Sequence, residues 1–102
     1  MLHVIATITV KEGTLAQFLD LFKANVPAVL AEDGCIAYEP TIDAAPSLEG
    51  APAPRPDTAV IVEEWESLAH LEAHLQAPHM KTFQEEVKDI VQDVQISVLE
   101  PA

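Results

Sequence analysis

Three of the four histidines fall within ten residues, in the stretch HLEAHLQAPH from His70 to His79. Imidazoles at this density serve two kinds of chemistry: they ligate transition metals, and they carry protons near neutral pH. His70 and His74 have the i, i+4 spacing of a helical zinc pair. The metalloprotease form of that pair needs a glutamate directly after the first histidine. Here Glu72 comes one residue too late and points elsewhere. His79 lies beyond Pro78, so helical periodicity does not fix its direction. No carboxylates converge on the same point, and Cys35 is the only cysteine. The spacing therefore predicts no metal site, and it leaves His70 as a solvent-facing residue.

His74 reads differently. It follows Leu71 by three residues and precedes Leu75, beside the apolar stripe of the helix. There it could take a proton from a phenol or hydroquinone, since an imidazole titrates at about 6.5. The structural alternative for His74 and His79 is that they satisfy backbone groups where Pro78 breaks the helix. Just upstream, alternation puts Ile61, Glu63 and Trp65 on one strand face. An inward Glu63 is costly unless paired, so it is expected either to bond a His or Arg across a dimer or to act as a base. Trp65, the only tryptophan, is a flat wall for an aromatic substrate or a core or interface aromatic. Tyr38 could donate a hydrogen bond to a substrate oxygen, or sit as an amphipathic residue at a sheet edge. Glu64 and Glu66 read as solvated. Cys35 reads as a small buried hydrophobe rather than a nucleophile. The three glycines form no cluster, so there is no phosphate-cradling loop and no sequence case for nucleotide, flavin or NAD.

The elements that must position these groups follow from periodicity. Leu2–Val10 alternates and is rich in β-branched residues, which predicts a strand. Thr14 can cap a helix whose stripe is Leu15, Phe18, Leu19, Phe22, Val26, Val29 and Leu30. Pro27 predicts a kink or an early end near Val26, and Asp33-Gly34 a stop. Cys35–Ile42 reads as a second strand, with Pro40 placing it at an edge or bulge. Residues 43–57, rich in proline and alanine, read as a long surface loop: a lid, an arm or a mobile insertion. Thr58–Glu66 is a third strand and Ser67 the cap of a second helical unit, broken at Pro78. Asp93–Leu99 alternates as a fourth strand. The order is βαββαβ over one domain, residues 1–102. That is the ferredoxin-like arrangement, a four-stranded antiparallel sheet with helices on one face. The other face of the first strand keeps β-branched surface, which predicts a homodimer through the open face of the sheet.

A charge of −12 argues against nucleic acid and anionic membranes as partners, since both require basic patches. There is no stretch of signal-peptide or membrane-spanning character, so a cytoplasmic protein is the expectation.

The residues Gly34-Cys35-Ile36-x-Tyr38, then Val62-Glu63-Glu64-Trp65-Glu66-Ser67, then Ala69-x-x-x-Ala73-His74-x-x-Ala77-Pro78-His79, resemble the antibiotic biosynthesis monooxygenase family. The resemblance runs from the first strand to the last. It implies a dimeric α/β barrel. In many members it implies oxidation of a phenolic or quinol substrate without metal or flavin. Aromatic-polyketide oxygenases of the family carry Asn and Tyr where this chain has Ile61 and Leu71. The haem-degrading branch needs an Asn and a His, where this chain has Ala6 and, near Gln84, no His. The loop at 43–57 is longer than the family's usual connection. The reading of the residues together with the resemblance puts forward His74 and Glu63 as catalytic groups, Trp65, Tyr38, His79 and Ile61 as substrate contacts, and no cofactor. The expected function is a cofactor-independent monooxygenase acting with O2 on a small aromatic. The alternatives are an isomerase or degrading enzyme working by proton transfer, and a non-catalytic binding dimer. Fold alone does not choose among them.

Overall fold

A computed structural model of the chain describes residues 1–45 and 48–102. Alternation in Leu2–Val10 produces β1, whose Val4, Ala6, Ile8 and Val10 are buried. Helix α1 spans Leu15–Leu30 and buries Phe18, Phe22 and Val29. It does not end near Val26. Pro27 removes the N–H that would donate to the Lys23 carbonyl, but both residues are exposed, so water can donate to that carbonyl instead. Thr14 stands at the N-cap without capping through its side chain. Its hydroxyl donates instead to the Lys11 carbonyl at 2.6 Å. The turn after α1 passes through Gly34 at φ +79°, a conformation that costs any residue with a Cβ.

Strand β2 (Cys35–Ile42) follows, then β3 (Thr58–Trp65), α2 (Leu68–Gln76), α3 (Pro78–Val87) and β4 (Val91–Leu99). The strands form one antiparallel sheet in the order β2-β3-β1-β4. β2 is an edge, which is where a strand tolerates Pro40. β4 starts two residues earlier than alternation alone suggests. A register shift beside Thr9/Val10 pairs Val10 with Val91 and Thr9 with Asp93, so the extra residue at Gln92 hides the period. The expected ferredoxin-like βαββαβ order is present, with the second helical unit divided at Ala77-Pro78.

Val4, Ala6 and Ile8 of β1 and Ala59, Ile61 and Trp65 of β3 meet Phe18, Phe22, Phe83, Met80 and Leu71 of the helices in the core. The helix layer does not reach across the whole sheet. Val94, Ile96 and Val98 of β4 pair with Ile8, Ala6 and Val4 and so face the helix side, yet each is about half exposed. The connection between β2 and β3 is tied at its base. The Arg55 guanidinium donates to both Asp43 oxygens at 2.8 and 2.9 Å, and the Arg55 backbone N–H donates at 2.9 Å. Those bonds hold the Asp43 carboxyl down at about 2. Pro46 and Ser47 lie outside the described residues. No helix among the described residues is long and apolar enough to cross a membrane.

Candidate functional site

Between the helix face of the sheet and helices α2 and α3 lies a cavity of about 380 Å³. Its walls are largely apolar: Val4, Ala6 and Ile61 from the sheet, Phe22 from α1, and Leu71, Met80 and Phe83 from the other helices. Val94, Ile96 and Val98 complete it on the β4 side. Three proton-bearing side chains break this apolar lining in the buried interior: Tyr38, Glu63 and His74.

Glu63 faces inward because β3 alternates, and Ile61 and Trp65 are buried on the same face. Its partner is not a charged residue. The Trp65 indole N–H, two residues along the strand, donates to Glu63 Oε1 at 2.9 Å. One neutral donor does not replace hydration of a buried carboxylate. Burial, chiefly, raises the carboxyl from its ordinary 4.5 to about 7. The Trp65 bond opposes that rise, and the nearby charge of Glu32 adds to it. A carboxyl in this range can give or take a proton at neutral pH.

Tyr38 is buried on β2, stacked on Phe22 with centroids 5.2 Å apart and edge-on to His74 at 5.4 Å. Burial, and then the charges of Glu63 and Glu32, push its phenol well above the ordinary 10. It therefore stays protonated at neutral pH, as a hydrogen-bond donor.

His74 is 2 % exposed, against the face of Trp65 with centroids 4.6 Å apart. Its Nδ1 is 2.9 Å from Glu32 Oε2, and the same oxygen is 2.8 Å from His79 Nε2. Three elements meet here. Glu32 comes from the turn after α1, His74 from α2, and His79 from the first turn of α3. The extended backbone of Ala77, with ψ 139°, turns the chain between the two helices and brings both imidazoles to one carboxylate. Among the described residues, no group of three His, Cys, Asp or Glu side chains is spaced to hold a metal ion.

The structure thus brings Tyr38, Glu63, His74 and Ile61 together on one cavity. Trp65 is fully buried behind that wall and does not line it. Its face meets His74 and its N–H meets Glu63, so no surface remains on which a ligand could stack. His79 also stays off the cavity wall, with its side chain 30 % exposed and held by Glu32. His70 is not solvent-facing. It is half-buried over Gly34, with Nδ1 2.7 Å from the Ser67 hydroxyl, and Ser67 caps α2 by accepting from the His70 backbone N–H. Cys35 is partly buried, and burial followed by the charges of Glu32 and Glu63 pushes its thiol up to about 11, far from a thiolate nucleophile. Sequence reasoning missed Glu32. The available signal was an acid one residue past the C-cap of α1, where the helix dipole favours a cation.

A family model described as antibiotic biosynthesis monooxygenase matches residues 1–86. The chain is 46% identical to the Escherichia coli K12 protein named "Probable quinol monooxygenase YgiN", covering 99% of this chain and 98% of that one. Among solved structures, a conserved protein from Methanosarcina mazei superposes with a TM-score of 0.83 at 22% identity, covering 99% of this chain and 92% of that one. A Pseudomonas aeruginosa protein superposes with a TM-score of 0.81 at 27% identity, covering 99% and 93%. The family model covers β1 to α3 and the Escherichia coli relative nearly the whole chain, β4 included, and the chain belongs to the antibiotic biosynthesis monooxygenase family.

Proposed function

We propose that the chain is a monooxygenase that oxidises a small phenolic or quinol-type aromatic with O2, without a cofactor and as a homodimer. The observation that carries this reading is the placement of Tyr38, Glu63 and His74 on one apolar cavity. The name of the Escherichia coli relative supports the same substrate class. His74 takes the hydroxyl proton of the substrate. The electron-rich anion passes an electron to O2, and the two radicals combine to a peroxide on the ring carbon. Protonation of the distal oxygen and loss of the ring hydrogen release water and leave a hydroxyquinone. One oxygen atom enters the product and the other leaves as water, so a quinol needs no external reductant. The imidazolium formed in the first step returns its proton to the distal oxygen, and Glu63, whose carboxyl lies near 7, is suited to take the ring hydrogen. The Tyr38 phenol, held protonated, is suited to donate to the substrate oxyanion.

Oxygen uptake with a naphthohydroquinone tests the reading. The wild-type protein should consume O2, and His74→Ala should lower kcat by about 100-fold or more, the usual worth of a positioned base. No uptake with any quinol or anthrone would overturn it. Product formation that proceeds equally without O2 would favour a proton-transfer isomerase on the same groups.

A further inference from the structure

We infer that Glu32 is a positioning residue, which fixes the proton of His74 on Nδ1 and leaves Nε2 as the base facing the cavity, while His79 clamps Glu32 in place. The inference rests on the reading of His74 as the base, and it adds two residues to that reading.

The geometry is specific. An ionised carboxylate only accepts, so both imidazoles donate to Glu32 Oε2, at 2.9 and 2.8 Å. A neutral imidazole has one N–H. With that N–H committed at Nδ1, the Nε2 of His74 carries a lone pair. His74 makes its side-chain bond among the described residues through Nδ1. No sealed side-chain nitrogen or oxygen there lacks a partner, so Nε2 is not sealed off, and His74 is a residue of the cavity wall. A proton taken at Nε2 creates an imidazolium in contact with the Glu32 carboxylate, which stabilises the charged form.

The carboxylate itself needs support. It stands past the C-terminus of α1, where the helix dipole disfavours an anion, and its side chain is 14 % exposed. One imidazole N–H would leave it poorly compensated. His79 supplies the second bond to the same oxygen, and Ala77-Pro78 sets the angle that brings His79 there. A brace that merely tied helix ends together would have no need to meet a side chain that lines the cavity.

Nitrogen NMR of histidine-labelled protein reads the tautomer directly, without turnover. The expected result is a proton on His74 Nδ1 and a bare Nε2 in the wild type, with both nitrogens partly protonated in Glu32→Leu. A wild-type His74 protonated on Nε2 would overturn the inference whatever the activity. Kinetics separates charge from bracing. Glu32→Gln keeps the acceptor oxygen and the shape but removes the charge. It should lower kcat about tenfold or more with KM and melting temperature little changed. His79→Leu, which removes the second donor to Glu32, should lower kcat, and His79→Gln, which still donates, should restore most of it; an unchanged kcat in His79→Leu would overturn the clamp. Full kcat in Glu32→Gln would reduce Glu32 to a structural tie and overturn the inference. A wild type with no turnover but with the expected tautomer would overturn the proposed function and uphold the positioning of His74.

Discussion

At the scale of single residues, Glu63 joins stability to chemistry. In the folded protein its carboxyl holds a proton up to about 7, whereas in the unfolded chain it ionises near its ordinary 4.5. Between those values the folded state binds more protons. The contribution is therefore fully present below about 4.5 and is lost as pH rises through 7. Glu63→Gln should flatten that slope, by at most about 3 kcal/mol between the two ends. Urea titrations at about pH 4 and about pH 8 check it. An equal pH slope in wild type and variant would show that Glu63 is not held protonated. The same residue marks the limit of reading from sequence. Alternation placed Glu63 inward with Ile61 and Trp65, but no periodicity announces that its partner is the indole two residues away. A lone tryptophan in such a strand has two readings, a platform for an aromatic substrate or a core or interface aromatic. Only packing shows that its whole surface is spent on His74, Glu63 and the core.

At the scale of elements, strands and amphipathic helices were legible because their periods differ. The departures lie where a local rule was offset by exposure or by a register shift. Pro27 does not end α1 because its missing bond faces water, and β4 begins two residues before its alternating run because an unpaired residue interrupts the period. The Glu32–His74–His79 convergence was not legible, since it joins residues more than forty positions apart across three elements. The turn that delivers Glu32 depends on Gly34. A Cβ there would stand 2.2 Å from His70 Cγ, at a φ of +79° that side chains rarely adopt. Gly34→Ala should cost about 2 kcal/mol or more, from strain plus displacement of His70. Gly13→Ala, where nothing lies within 4 Å, should cost only the backbone strain, about 1 kcal/mol. Equal losses in the two variants, by chemical denaturation, would remove the packing argument at Gly34.

At the scale of the whole molecule, the sheet presents one face to the helices and leaves the other uncovered. On that open face Ile5 pairs with Val62 and Thr7 with Val60. We propose that a second copy covers it, and Val62→Asp tests this by placing a charge at its centre, in register with Glu39. Sedimentation should shift from dimer toward monomer. A wild type that sediments as a monomer at micromolar concentration would end the proposal. The ion pair at the foot of the β2–β3 connection has a different consequence. Arg55 and Asp43 meet at the two ends of that span, and the ladder from Cys35 to Ile42 pairs β2 with β3 without any residue of the span. Doubling the length of a flexible span costs only about 0.6 kcal/mol. The turn at Glu49-Gly50 is therefore a port: a tag or fluorescent reporter inserted there would ride on the protein while the ladder keeps both strands in register.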